Sequence, residues 1–303
     1  MKRFPTVILA LVVSVSASWS ADDDGKKKPD PKYRAEIAKL RNKLGGDFTV
    51  WRVGVFVVAS DLPEGRRERY DKLITQLEGA LYAKLFTRRP SAILKIALFK
   101  DNASLRKSAK KLAVKSAVMP GGGFFMPYEK VICADTAMGE WVVKHEVTHA
   151  LLHADFRQRR LTPWIDEGIA MLAESCVLTD DDMTFRMDWR TTLVQRYARA
   201  RRLPKLRDVL KMDFRTYNSR KNRMICDALA RSLLMYLHEK GQLITFYKRY
   251  RKGYKRDKTG RTYLEETLQK NIDAIETDVL AWVEKKGARR TQPKPARLPA
   301  RGE

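Results

Sequence analysis

The stretch Trp141–His153, WVVKHEVTHALLH, holds three of the four histidines in a chain of 303 residues. Apolar Val142, Val143, Val147, Ala150, Leu151 and Leu152 surround His145, Glu146 and His149, so a helix here packs deeply with polar groups inside it. Buried imidazoles and a buried carboxylate require partners. At a spacing of four, both imidazoles leave one helix face about 6 Å apart along the axis, close enough to share one metal ion. Glu146 stands beside them, where a carboxylate can take a proton from metal-coordinated water. A zinc hydrolase built on this helix needs a third protein ligand and one open coordination position for water; an ordinary buried helix needs neither.

Three residues are candidates for that third ligand. His153 lies two turns beyond His145, about 12 Å along the axis, so one straight helix does not bring all three histidines to one ion. Asp155 stands where H-E-x-x-H-x-x-G-x-x-H sites place their last ligand, but Leu152 replaces the glycine that turns the chain. Glu167, in TPWIDEGIAMLAE, is the strongest. Thr162 and Pro163 read as an N-cap and first-turn proline of a second helix, with Ile165, Ile169 and Leu172 facing the core and Gly168 allowing close approach of two helices. A carboxylate early in that helix can return to the histidine face of the first. Acidic Asp166 and Glu167 also suit a positive helix N-terminus without any metal.

KHEVTHALL, followed 18 residues after His149 by the glutamate of PWIDEGIA, resembles the gluzincin pattern of zinc metallopeptidases. It is most similar to the bacterial peptidase-MA-like families, where a Trp-x-x-Glu-Gly-x-Ala element supplies the ligand. GGGFFMPYEKVICAD resembles their glycine-containing edge hairpin, and LPKLRDVLKMDF and ALARSLLMYLHEKG resemble downstream helical elements, so the likeness spans about Ala92 to Val283. It implies one Zn2+ per chain on His145, His149 and Glu167, with Glu146 as general base and proton shuttle. Two positions depart from the pattern. Asp166-Glu167-Gly168 replaces the commoner Asn-Glu-Gly, adding negative charge near the metal. The tyrosine that often stabilises the tetrahedral intermediate has no clear match; Tyr236 and His238 are the available oxyanion donors, each equally at home in a core or on a surface.

The order of the remaining elements places this site at a junction. YRAEIAKLRNKL has helical spacing, and FTVWRVGVFVVAS reads as one long strand. A helix follows over about Glu64–Phe86, with leucines at 73, 77, 81 and 85. SAILKIALF is a second strand, and NASLRKSAKKLAV a basic helix capped by Asn102. GFFM and KVICA, punctuated by glycine and proline, read as a hairpin at a sheet edge. Within it Gly122, Gly123 and Phe124 form a candidate substrate strand that adds a peptide to the sheet; an ordinary core strand is the simpler account of the aromatics, which are enriched in strands anyway. Everything beyond Gly139 reads as helical. The expected class is α+β: a small N-terminal mixed sheet, an edge hairpin over the H-E-x-x-H helix, and a mainly helical C-terminal half.

Lys2 and Arg3, the apolar run Phe4–Val13 and the small residues of SVSAS have the order of a secretory signal peptide over residues 1–20, cleaved after Ser18 or Ser20; an uncleaved anchor is the competing reading. A charged linker (21–31), the peptidase-MA-like domain (32–287) and a basic, proline-rich disordered tail (288–303) complete the expected organisation, in a secreted or periplasmic protein with no membrane span beyond the signal segment. The formal charge of +25, from 61 basic and 36 acidic residues, favours an anionic polymer or surface as a partner besides a peptide or protein substrate. The lysines and aromatics form no recognisable nucleic-acid module, and PGGGFF lacks the Lys-Ser/Thr of a phosphate loop. Cys133, Cys176 and Cys226 form no short-spaced pair, leaving one disulfide with a free thiol or three buried thiols. The expected activity is zinc-dependent peptide hydrolysis; the alternative is an inactive metallopeptidase-like binding protein of the cell envelope.

Overall fold

A computed structural model describes residues 30–112, 122–157, 161–180 and 182–287. The expected signal peptide, nearly all of the linker and the tail lie outside the described residues. The first helix, α1 (Pro31–Leu44), opens with Asp30, whose carboxylate accepts from Lys32 N, and with proline at its start.

The run expected as one strand is two. β1 (Thr49–Val53) and β2 (Phe56–Ser60) pair antiparallel, with Val53 opposite Phe56. The break is Gly54, with φ +53°, where a β-carbon would collide with the Glu78 carboxylate. α2 (Glu64–Lys84) then crosses to β3 (Leu94–Phe99), which runs parallel to β2. α3 (Asn102–Ser108) is capped one residue earlier than expected. Asp101 accepts from Ser104 N at 2.8 Å, and Asn102 Oδ1 instead takes a bond from Arg106 Nε.

β4 (Gly123–Met126) and β5 (Val131–Asp135) form the expected hairpin, and β5 runs parallel to β3. The order β1-β2-β3-β5-β4 leaves β4 on the edge of a five-stranded mixed sheet. Alternation along the strands separates two cores. Val57, Ala59, Ala97 and Phe99 pack with α1 and α3 residues on one face, while Phe56, Val58, Ile96 and Leu98 join the larger core of α2 and the helices that follow.

Those helices are α4 (Glu140–Asp155) and α5 (Pro163–Glu174), then α6 (Trp189–Arg199), α7 (Leu206–Val209), α8 (Phe214–Tyr217), α9 (Arg223–Glu239), α10 (Leu243–Gly253), α11 (Arg261–Leu268) and α12 (Ile272–Gly287). One exception interrupts the helical half: β6 (Val177–Leu178) and β7 (Met183–Thr184) make a two-stranded ribbon too short to show alternation in sequence. The protein is thus α+β, with a mixed sheet in its N-terminal half and helices beyond. No helix among the described residues is long and apolar enough to cross a membrane. All three cysteines are buried free thiols.

Two close approaches fix the helices that matter. Ile165, Ile169 and Leu172 are buried as expected, and Gly168 brings α5 onto α9: a β-carbon there would lie 2.8 Å from Leu234 Cδ1. Gly123 brings the edge strand onto α4, where a β-carbon would collide with Val142 and reach 3.1 Å from Glu146 Cγ.

Candidate metal centre

α4 is buried along almost its whole length, so its polar side chains meet protein on every side. Nε2 of His145 and Nε2 of His149 face each other at 3.1 Å. Glu167, on the second turn of α5, places Oε2 at 3.5 Å from the first and 3.8 Å from the second. These three residues form a group able to hold a metal ion. Tetrahedral coordination with bonds of about 2.0–2.1 Å separates neighbouring ligand atoms by about 3.3 Å, close to the observed spacings. Glu167 Oε2 is buried with no hydrogen-bond partner, which is costly unless a cation completes it.

The opposite ring nitrogens are held by carboxylates. Asp166 Oδ1 lies 2.7 Å from His149 Nδ1, and its Oδ2 lies 3.0 Å from His153 Nε2. Glu174 Oε2 faces His145 Nδ1 at 3.3 Å, an ionic contact without good hydrogen-bond alignment. Carboxylates on Nδ1 direct Nε2 toward a shared ion and raise its basicity. Glu174 is held in turn by Arg190 at 2.8 Å, Arg190 by Asp188 at 2.7 Å, and Asp188 by the fully buried Arg231 at 3.2 Å. Such buried ions cost desolvation; what the chain of pairs delivers is a fixed carboxylate behind His145.

The titrations follow from these contacts. Burial disfavours the protonated form of His145, but the Glu167 and Glu174 carboxylates raise its pKa well above the usual value of 6.5. For His149 burial is again overcome, here by Asp166. Burial opposes ionisation of Glu174, yet His145 and Arg190 bring it down to about 2. Glu167 is likewise held below the usual carboxylate range, by His145 and His149 against burial. Glu146 moves the other way, raised chiefly by burial.

A pH signature of the metal-free protein follows. Histidine pKa values above 6.5 in the folded state mean that these ion pairs contribute fully below pH 6.5 and are lost as pH rises through the raised values. With chelator present, the melting temperature is expected to fall as pH rises from 6.5 into the alkaline range. With zinc the midpoint is expected to be higher, and to decline instead on acidification as protons compete for the ligands. Scanning calorimetry at both ends of this range checks both signs; a flat profile in chelator would remove the assignment.

The structure sorts the remaining candidates. His153 does not join the triad; it contacts Asp166 and packs edge-on against Phe125, 5.5 Å between ring centres. Asp155 points elsewhere, accepting from Thr87 N, Arg88 N and the Tyr247 hydroxyl. Tyr236 donates to Asp278, and His238 packs against Phe185. Neither is brought to the cluster, because both sit near the far end of α9. Gly123 abuts Glu146, whereas Phe124 turns to the opposite sheet face, into the core under α1 and α3.

Several residues of the site are not evident from sequence patterns. Glu174 carries a signal, since positions 167, 171 and 174 share one face of α5. Asp227 and Tyr217 carry none: both are buried, Asp227 Oδ1 and the Tyr217 hydroxyl lack partners, and both feel the charge of Glu167. Burial first, then Glu167, raises the Asp227 pKa.

Asp166→Ala is expected to weaken metal-ion binding by the triad about 10–100-fold, the usual cost of losing a carboxylate behind a ligand histidine. Competition with a chromogenic chelator measures it, and an unchanged affinity would mean that Asp166 serves only the helix terminus. The chain matches no protein-family profile and no curated protein.

Proposed function

We propose that the protein is a zinc-dependent peptidase in which Glu146 acts as general base. The observation that carries this reading is the convergence of two Nε2 atoms and an orphaned carboxylate oxygen beside a buried glutamate. Two imidazoles and one carboxylate are the ligand set of hydrolytic zinc sites that leave a position open. When bound there, zinc supplies Lewis-acid polarisation of a water and of a substrate carbonyl.

The chain's own residues supply the rest. Glu146, buried beside the two imidazoles, is placed where a base can take a proton and give it back. It takes the proton of the attacking water and returns it to the departing amine nitrogen. Asp166 and Glu174 hold the two imidazoles in orientation. The strand β4 lies against α4 and, among the described residues, no strand pairs with its outer edge, which leaves that edge to an extended peptide. Gly123, lacking a β-carbon, lets that strand approach Glu146.

The test is hydrolysis of a mixed peptide library by the purified chain. Cleavage is expected with zinc, lost with chelator and restored by adding zinc back. Cleavage that persists in chelator, or none at all from a zinc-loaded folded chain, would overturn the reading, and the second result would favour the binding-protein alternative.

A further inference from the structure

A cavity of about 650 Å3 opens beside the triad. Its walls include Met171, Trp189, Arg190, Arg220, Arg223 and Asp227. Met171 lies one turn after Glu167 on α5, about 6 Å along the axis. Asp227, on the cavity wall, feels the charge of Glu167, so the cavity adjoins the Glu167 side of the triad.

The charges on these walls are unevenly committed. Arg190 is held by Glu174 and Asp188. Arg223 reaches Asp227 only at 3.8 Å and keeps nearly half of its side chain exposed. Arg220 is exposed and has no ion-pair partner among the described residues. Asp227 is 6 % exposed, and its Oδ1 has no hydrogen-bond partner. Met171 and the Trp189 ring add apolar surface. The cavity therefore combines two guanidiniums able to take an anion with apolar walls for a short aliphatic stem; Asp227, engaged by Arg223 and Tyr217, closes one side.

We propose that this cavity binds a carboxylate-bearing residue of the substrate near the scissile bond, with Arg220 and Arg223 pairing the carboxylate. This rests on the peptidase reading and names its substrate class. The carboxylate comes from an acidic side chain or from a free chain terminus. Guanidinium–carboxylate pairs are among the stronger hydrogen-bonded contacts, and one such contact corresponds to a preference of about 10–100-fold.

The experiment uses fluorescent peptides and two forms of the zinc-loaded chain. Amidated peptides carry one glutamate at successive positions, with glutamine counterparts, and a third set has a free terminal carboxylate but no acidic residue. Affinity is read by anisotropy on Glu146→Gln, where cleavage does not interfere, and kcat/KM on the otherwise unaltered chain. At one position glutamate, or the free terminus, is expected to gain about 10–100-fold over its neutral counterpart. Arg220→Gln and Arg223→Gln should each reduce that gain and together remove it, read as the ratio of charged to neutral peptide within each variant. Lys43→Gln, on α1 across the sheet, should change nothing and so reports general attraction to a basic protein.

Equal affinity for charged and neutral peptides, or a preference that survives both arginine substitutions, would overturn the pocket. Selective binding without hydrolysis would keep the pocket and remove the peptidase. Hydrolysis indifferent to charge would do the reverse.

Discussion

Glu146→Gln is expected to lower peptide hydrolysis by at least about 10²–10⁴-fold, the range over which a positioned acid–base group contributes, while zinc stays bound. Glutamine keeps the volume and hydrogen-bonding capacity of the side chain but accepts no proton from water. Glu146 contributes no atom to the His145–His149–Glu167 group, so metal content and melting temperature should change little. Activity and zinc measured on one preparation separate the roles. Loss of both would make Glu146 a structural residue, and retained hydrolysis would move the base elsewhere. The neighbouring carboxylates have other duties: Asp166 and Glu174 are committed to imidazoles, Glu167 to the group itself, and Asp227 faces Arg223.

Glu167→Ala is expected to lower zinc affinity by more than about 100-fold, beyond the 10–100-fold cost of losing a supporting carboxylate. Two histidines then face each other at 3.1 Å with no anion between them. The fold itself should survive, since α5 is held by Trp164, Ile165, Ile169 and Leu172, all buried. Asp166→Ala serves as the graded comparison. Zinc affinity should fall in the order wild type, Asp166→Ala, Glu167→Ala, and a reversed order of the two variants would mean that Asp166 is the ligand.

The same contrast shows how far the sequence carries. H-E-x-x-H and W-I-D-E-G are local patterns on adjacent helices, so the triad is legible from the residues and their spacing. Asp166 reads in the sequence as a helix-terminal charge or as extra charge near the metal. Its bridge between His149 and His153 depends on how α5 crosses α4, which no short motif encodes. Asp227 and Arg223 gather near the triad because Gly168 lets α9 pack closely on α5, and Tyr217 arrives from the separate short helix α8. Tyr236 and His238 are plausible donors by residue type alone, but at least nine residues separate them from Asp227. At 1.5 Å per residue that is about 13 Å or more along one helix. In the sheet, an uninterrupted β-branched run hides a tight turn whose one signal is Gly54.

The central claim is that His145, His149 and Glu167 hold one zinc ion. Its most direct test is the metal content of folded, purified chain after equilibration with zinc and removal of the excess, read by atomic spectroscopy. One zinc per chain is expected in the wild type, and far less than one in Glu167→Ala. A correctly folded wild-type chain that retains no zinc would contradict the claim.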